Sequence, residues 1–414
     1  MKLGNAILIK IINFINLFSV FFLITQLPIY YGKLQRLAII AFLASYLIEF
    51  VLEKRWAQFK WNKTQWIFVL FIGYFFLTLI YAPFEVVPNY LSRILEIRLP
   101  FILTGIIGLF GVNKLYKLKY FAYAFIITSL LMISYLIFYK IGYFVFLHDQ
   151  KREFLLEMVR KQSINSHMIF NYFLNVSLIF TFYLLSAKNK FKYSIIFKFL
   201  AAFSGLIIYV ILLMSEGRLG FLMANLIVFV MIFHLLWKWH KILAIFIGLA
   251  LFCGMGYAIS HHNRINKNEV THEPRLIVWK LASEVIKAKP IFGNGASTGA
   301  NIFMDKLASC KELNVGPQDV LGEAIYSRRL LGAHAHSQFI MTVIEFGFFG
   351  LIIFLFMNLF PLFVMPPKLR IYIVMFIVIS CAQLLTDIYF SGITPLTYAL
   401  LMVLFFRSVE AKEL

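Results

Sequence analysis

Residues 192–260 read KYSIIFKFLAAFSGLIIYVILLMSEGRLGFLMANLIVFVMIFHLLWKWHKILAIFIGLALFCGMGYAIS. Three apolar runs follow one another, at about 192–214, 219–237 and 241–260. Each is as long as the roughly 20 residues a helix needs to cross a bilayer. Only Ser215-Glu216-Gly217-Arg218 separates the first pair, and Lys238-Trp239-His240 the second. Helices that are apolar all round and joined by so few residues belong in lipid.

Working outward, nine further runs of this kind lie near 6–30, 36–52, 66–83, 95–112, 119–146, 167–187, 337–364, 370–388 and 391–407. The sequence therefore predicts an all-α integral membrane protein of about twelve spanning helices. Composition leads to the same class. Of 414 residues, 61% are apolar, 18% aromatic and 14% charged. A soluble domain carries about 25% charged residues, so this chain has too few to cover a water-facing surface. A soluble enzyme, a disordered chain and a disulfide-stapled secreted domain are excluded. The three cysteines, Cys253, Cys310 and Cys381, form neither a disulfide framework nor a CxxC metal site. The first run, from Ala6 to about Tyr30, is too long for a signal-peptide core and has no A-x-A site, so it reads as a retained signal anchor.

The net charge of +20 comes from 39 Lys+Arg against 19 Asp+Glu. The cations cluster between apolar runs: Lys54, Arg55, Lys60 and Lys63 after the second, Lys114, Lys117 and Lys119 after the fourth, Lys188, Lys190 and Lys192 after the sixth, Lys238 and Lys241 after the eighth, Lys368 and Arg370 after the tenth. Every even-numbered loop is basic, so the positive-inside rule puts both termini in the cytoplasm. This charge serves topology and anionic headgroups, with no nucleic acid as partner. The chain divides into residues 1–260 with nine helices, a long outward loop over 261–336, and 337–414 with three helices and the C-terminal end, all one structural unit.

Three outward segments carry more charge than the rule expects. One, near 147–166, contains HDQKREFLLEMVRKQSINS. Another is the turn at Ser215–Arg218, and the third is the long loop. Loops of that length are usually functional or disordered. Helical patterning favours function: Pro274 suits the first turn of a helix and Pro290 its end. Ile277, Leu281, Val285 and Ala288 would form its apolar face, with Lys280, Glu284 and Lys287 opposite. Such a helix lies on the membrane surface or on the bundle. Arg275 stands in its first turn, where a helix N-terminus attracts phosphate; a headgroup-binding arginine is an equal reading. Arg218 sits in a tight turn on the cation-poor side. A charge at that depth is a site hypothesis by default, against an Arg218–Glu216 pair that only closes the turn.

His336-Ser337 enters the tenth helix as HSQFIMTVIEFGFFG, with Gly347 and Gly350 three and four turns on. The glycines would let another helix approach. His336 would then stand on a rigid element with a pKa suited to a general base, though a lone interfacial histidine is the bland alternative. His334, two residues away, would not share its face on a helix, and no set of metal ligands is visible. Asp387, at the outer end of the eleventh helix, would orient His336, neutralise an arginine or merely end a helix. Arg152, Arg160, Lys161, Asn165 and His167 form a second cationic wall, with Arg160 nearest the helix entry. The four aspartates make no DxD pair, and no Walker loop, GxSxG or HExxH occurs. Arginines and a histidine facing outward, without metal or cofactor, suit an anionic lipid-borne donor. The arginines would hold a diphosphate leaving group and the histidine would take a proton from the attacking hydroxyl.

These residues resemble a known family. His336-Ser337, nine residues, then Gly347-Phe-Phe-Gly350 is similar to the H-[NSQ]-x9-G-x-x-[GTY] pattern of bacterial O-antigen ligases. Arg275…Trp279…Pro290-x-x-Gly293-x-Gly295 resembles the loop-helix block of the wider ligase and polymerase superfamily. Arg218 sits where that family has an essential arginine, and Asp387 matches an acidic position. The motifs cover mainly the second half of the chain. The resemblance implies a GT-C-like fold, and transfer of polysaccharide from undecaprenyl diphosphate to a lipid A-core sugar hydroxyl. The reaction takes place on the periplasmic side of the inner membrane, inverts the anomeric centre and needs neither metal nor ATP. It further implies His336 as base, Arg218 and Arg275 on the diphosphate, and Arg160, Asp387, Ser337 and His334 as substrate contacts or supports. Three other readings stay open: an O-antigen polymerase using a lipid-linked glycan acceptor, a protein O-oligosaccharyltransferase, and a flippase or transporter with Glu96, Arg98 and Glu345 as its few charges within helices.

Overall fold

The computed structural model describes residues 2–29, 32–81, 88–113, 115–135, 167–186, 194–214, 218–260, 274–310, 335–386 and 394–408. All regular structure among them is helical. In chain order the helices are α1 Lys2–Ile29, α2 Gly32–Leu52, α3 Gln65–Tyr81, α4 Pro88–Phe110, α5 Leu118–Ser134, α6 His167–Ser186, α7 Ser194–Met214, α8 Arg218–Trp239 and α9 Lys241–Ser260. There follow α10 Pro274–Ala288, α11 Ala296–Ser309, α12 Gln338–Leu359, α13 Pro361–Val364, α14 Arg370–Thr386 and α15 Thr394–Arg407. Short 3₁₀ turns at Arg55–Gln58 and Pro367–Leu369 join two pairs.

Each of the twelve apolar runs coincides with a helix. Among the described residues, six stretches are long and apolar enough to cross a membrane: Ile7–Leu27, Met168–Ser186, Ile195–Met214, Leu219–Trp239, Gln338–Val364 and Pro367–Thr386. Four shorter apolar helices, Gln65–Tyr81, Leu118–Ser134, Lys241–Gly254 and Thr394–Arg407, accompany them. α2 and α4 fall in neither group; α2 carries Glu49, and α4 carries Glu96, Arg98 and an internal Pro100. The run predicted to begin at residue 95 starts earlier, at Pro88, where the fixed φ of proline suits a first helical position. The helix in the run predicted over 119–146 is described as far as Ser134.

Burial is inverted relative to a soluble bundle. α7 and α9 present Ile195, Phe199, Ile242 and Phe246 outward, while α6 keeps Asn171, Asn175, Ser177 and Thr181 inside. Lipid is as apolar as these outer side chains, so helices are held by close packing and by polar groups turned toward one another. α6 is the central post, packed on α5, α7, α8 and α14, and α15 is buried along its whole length against α4. At the end of the bundle where the basic loops lie, the carboxylate of Glu49 is bonded by Arg55 and accepts from Asn113 at 3.2 Å. Arg55 also donates to the Gly111 carbonyl at 2.7 Å, and Arg407 to that of Gly108 at 2.6 Å, so two arginines close the C-terminal end of α4.

Candidate active site

At the opposite end, α10 and α11 form a cap over the first turns of α12. The cap has its own apolar core: Val278, Ala282 and Val285 of α10, Ala300, Phe303 and Leu307 of α11, and Ala335, Met341 and Ile344. The buried face of α10 is thus rotated from the one the sequence predicts. Val278, Ala282 and Val285 point inward, Ile277 and Leu281 are half-buried, and Ala288 is exposed. The cause is that α10 packs on both α11 and α12, so its inward face follows these two partners rather than a flat membrane plane. Lys280, Glu284 and Lys287 face outward as expected. A hydrogen bond from Lys306 of α11 holds the Glu284 carboxyl below the usual carboxylate range.

His336 stands where the chain turns into α12. Its φ of 48° is left-handed, one of two such non-glycine residues among those described. Ser337 returns to extended backbone (φ −155°, ψ 122°), and the helix starts at Gln338. The turn leaves His336 half-buried between two buried neighbours, Ala335 and Ser337. It is pinned from the cap: the Trp279 indole Nε1 donates to the Ala335 carbonyl at 2.9 Å. A left-handed non-glycine residue costs of order 1–3 kcal/mol and persists where its surroundings over-determine it. Here the Trp279 bond on one side and the start of α12 on the other do so.

Eleven residues after His336, α12 breaks. Gly347 adopts φ 64° and ψ −166°, a conformation open essentially to glycine alone. The segment Pro290–Gly295 lies across the break and takes up the backbone groups it releases. Phe348 N–H donates to the Pro290 carbonyl at 2.8 Å and Phe349 N–H to that of Ile291 at 3.1 Å. In the other direction, Asn294 N–H donates to Ile344 O at 2.9 Å and Gly295 N–H to Glu345 O at 2.8 Å. A Cβ on Gly347 would lie 2.2 Å from Ile291 O, and one on Gly293 would lie 2.5 Å from Glu345 O. The predicted role of Gly347 is therefore corrected: what approaches it is a loop, and the stripe running down from His336 is interrupted there. The Pro-x-x-Gly-x-Gly block and the Gly-x-x-Gly pair, more than 50 residues apart in sequence, are two halves of one joint.

The joint is fixed to the bundle by charge. Glu345 forms a buried ion pair with Arg98 of α4. Arg98 also donates to Thr78 Oγ1 at 2.7 Å and lies over the rings of Phe346 and Tyr74, at 4.8 and 5.2 Å. Tyr81, the last residue of α3, donates its hydroxyl to the Phe292 carbonyl. Sequence reasoning noticed Arg98 and Glu345 only as charges for a transport path; the structure pairs them with each other.

The other predicted residues are placed as follows. Ser337 is the N-cap of α12 and makes no side-chain capping bond. Arg275 is the second residue of α10, one turn before Trp279, whose indole reaches the residue preceding His336. Arg218 is the first residue of α8. Two residues on, Gly220 lets Asn171 of α6 come close, and Asn175 Nδ2 donates to the Gly220 carbonyl at 3.2 Å. α8 packs on α14, and α14 packs on α12. Arg160, His334 and Asp387 lie outside the described residues. Sequence reasoning missed Trp279 as the pin of the His336 turn, and Tyr81 and Asn294 as members of the joint. The one signal for the joint was Gly293-Asn294-Gly295, two glycines that both need positive φ.

Residues 200–355 match the family model described as O-antigen ligase. The matched segment runs from within α7 into α12 and includes Arg218, Arg275, the Pro290–Gly295 block, His336 and both glycines of the break. Over this segment the chain is similar to the O-antigen ligase family. No curated protein matches the chain. The match supports a function of the O-antigen ligase or polymerase type, and the apolar helices are those of a multi-pass membrane protein.

Proposed function

We propose that the protein is an O-antigen ligase. It transfers O-antigen polysaccharide from undecaprenyl diphosphate to a sugar hydroxyl of lipid A-core, on the periplasmic side of the bacterial inner membrane. The observation that supports this most is the coincidence of a ligase-family match with a half-exposed histidine on a strained, pinned turn at the mouth of α12. His336 takes the proton of the acceptor hydroxyl. The oxygen attacks the anomeric carbon of the donor sugar from the face opposite the diphosphate. The C–O bond to the diphosphate breaks, and the undecaprenyl diphosphate leaves as an anion. Arg218 is the first residue of α8 and Arg275 lies in the first turn of α10. There guanidinium groups and helix N-terminal amides stabilise such a leaving group together. Holding both polar substrates beneath the cap supplies much of the rate by proximity. Arg160, Asp387, Ser337 and His334 complete the binding surface. About twelve helices span the membrane in a GT-C-like arrangement, both termini are cytoplasmic, and neither metal nor other cofactor takes part.

A polymerase is the second reading, because the same donor chemistry serves a lipid-linked glycan acceptor and the family match does not separate the two activities. A transporter path through Arg98 and Glu345 is disfavoured, because the two neutralise each other in a buried pair that ties helices together. Deleting the gene in its host and resolving lipopolysaccharide beside undecaprenyl-linked glycan decides among these. Bare core with long polymer stranded on the carrier is the expected result. Core bearing a single repeat unit means a polymerase. A ladder unaffected by deletion overturns both. Complementation with His336→Ala should leave the deletion phenotype in place.

A further inference from the structure

We propose that the turn Pro290–Gly295 is the membrane anchor of the cap: Ile291 and Phe292 seat among lipid acyl chains at the edge of the bilayer on the cap side. Three observations carry this. The first is exposure. Ile291 and Phe292 are 63% and 62% exposed, more than any other apolar side chain described in the cap. They adjoin Phe348 and Phe349, also exposed, with the rings of Phe292 and Phe349 6.1 Å apart. The patch continues down α12 as Ile352 and Phe356, the face that α12 turns to lipid. It is an extension of the membrane-facing surface rather than an isolated spot.

The second is the state of the backbone. Irregular chain is tolerated beside lipid only where its polar groups are satisfied by protein. The carbonyls of Pro290, Ile291 and Phe292 accept from Phe348, Phe349 and Tyr81, and the amides of Gly293, Asn294 and Gly295 donate to Lys289, Ile344 and Glu345. Six backbone polar groups of this turn are thus held by protein.

The third is depth. α3 rises from Gln65 to Tyr81, about 25 Å at a rise of about 1.5 Å per residue. α12 and α13 run from Gly347 to the Pro366-Pro367-Lys368 turn, about 28 Å on the same scale. The hydrocarbon layer is about 30 Å thick. Both helices therefore reach the turn at its far edge, while the exposed Trp61 and Trp66, beside Lys60 and Lys63, mark the near one. The anchor would hold His336 up to about 15 Å above the hydrocarbon, the length of the first segment of α12.

This inference rests on the membrane-spanning reading, and neither on the transfer reaction nor on which side of the membrane the cap occupies. The test starts from the full chain with Cys253, Cys310 and Cys381 replaced by serine. Single cysteines are then introduced as Ile291→Cys, Ile352→Cys and Ser283→Cys, each carrying a nitroxide in phosphatidylethanolamine–phosphatidylglycerol vesicles. Collision with oxygen, which concentrates in lipid, is compared with collision with a water-soluble nickel chelate. The Ile291→Cys label is expected to behave as the lipid-facing Ile352→Cys label does, with the oxygen-to-nickel ratio several-fold above that of Ser283→Cys on the outward face of α10. A ratio equal to that of Ser283→Cys overturns the anchor. So does protection from both reagents with spin–spin broadening, which means that a second copy covers the patch. Phe292→Cys repeats the measurement at the neighbouring position should Ile291→Cys fail to fold.

Discussion

His336 combines a strained backbone with a titratable side chain, and the two can be separated by substitution. Asparagine accepts the left-handed conformation more readily than most residues but offers no base near neutral pH. His336→Asn is expected to melt within a few degrees of the wild-type protein in detergent while losing transfer by about 100-fold or more, the range of general-base contributions. His336→Gly relieves the strain altogether. It should match or exceed wild-type stability by about 1 kcal/mol and be equally inactive. Stability lost in both variants would mean that His336 is a packing residue. Trp279→Phe keeps the ring but removes the donor to the Ala335 carbonyl. It should cost about 0.5–1.5 kcal/mol of stability and lower the maximal transfer rate more than it weakens substrate binding, because it loosens the turn that presents the base. Thermal melts and a two-substrate kinetic assay check both. The histidine was legible in the sequence because a polar residue at the entry of an apolar run is conspicuous. Its left-handed turn was not, since nothing in Ala-His-Ser announces positive φ. Trp279 entered only as part of the Arg275…Trp279…Pro290 block, and its role was hidden because its hydrogen-bond partner lies 56 residues away.

At the scale of elements, the break in α12 is held by conformation and by the approach of Pro290–Gly295. Gly347→Ala is expected to destabilise by more than about 3 kcal/mol, since alanine pays for the glycine-only dihedrals and also meets the Ile291 carbonyl at 2.2 Å. Gly73, in the middle of α3, provides the contrast. A Cβ there meets nothing within 4 Å, so Gly73→Ala should be neutral or stabilising by about 0.5–1 kcal/mol. Equal effects of the two substitutions on melting temperature would count against the break. The Arg98–Glu345 pair invites a double-mutant cycle. Removing one partner of a buried pair strands the other charge and typically costs about 3–5 kcal/mol. Replacing both with methionine should cost less than either single change. Helix positions were readable because apolar runs of spanning length have few other uses. The break was not, because Phe-Gly-Phe-Phe-Gly inside such a run looks like any small-residue contact between membrane helices. The register of α10 was misjudged by one face because periodicity gives an apolar stripe but not the two partners that divide it.

For the whole molecule, the reaction proposed needs no cation, and the sequence supplies only four aspartates with no paired arrangement. Transfer by membranes carrying the protein should be unchanged by a chelator such as EDTA after divalent cations are removed; a loss restored by one cation would revise the mechanism. The all-helical membrane class was legible from the apolar runs and the composition. The relation between cap and bundle was not, because it depends on backbone bonds between segments that no local pattern connects.

Those same bonds bear on how the chain tolerates being cut. Residues 290–295 and 344–349 are joined by four backbone hydrogen bonds, and α10 and α11 share a core with the start of α12. A polypeptide divided anywhere between residues 311 and 334 would leave one partner of this seam on each piece. Two such pieces, translated separately in one cell, should find each other and co-purify on a single affinity tag, with Gly347→Ala in the second piece enough to part them.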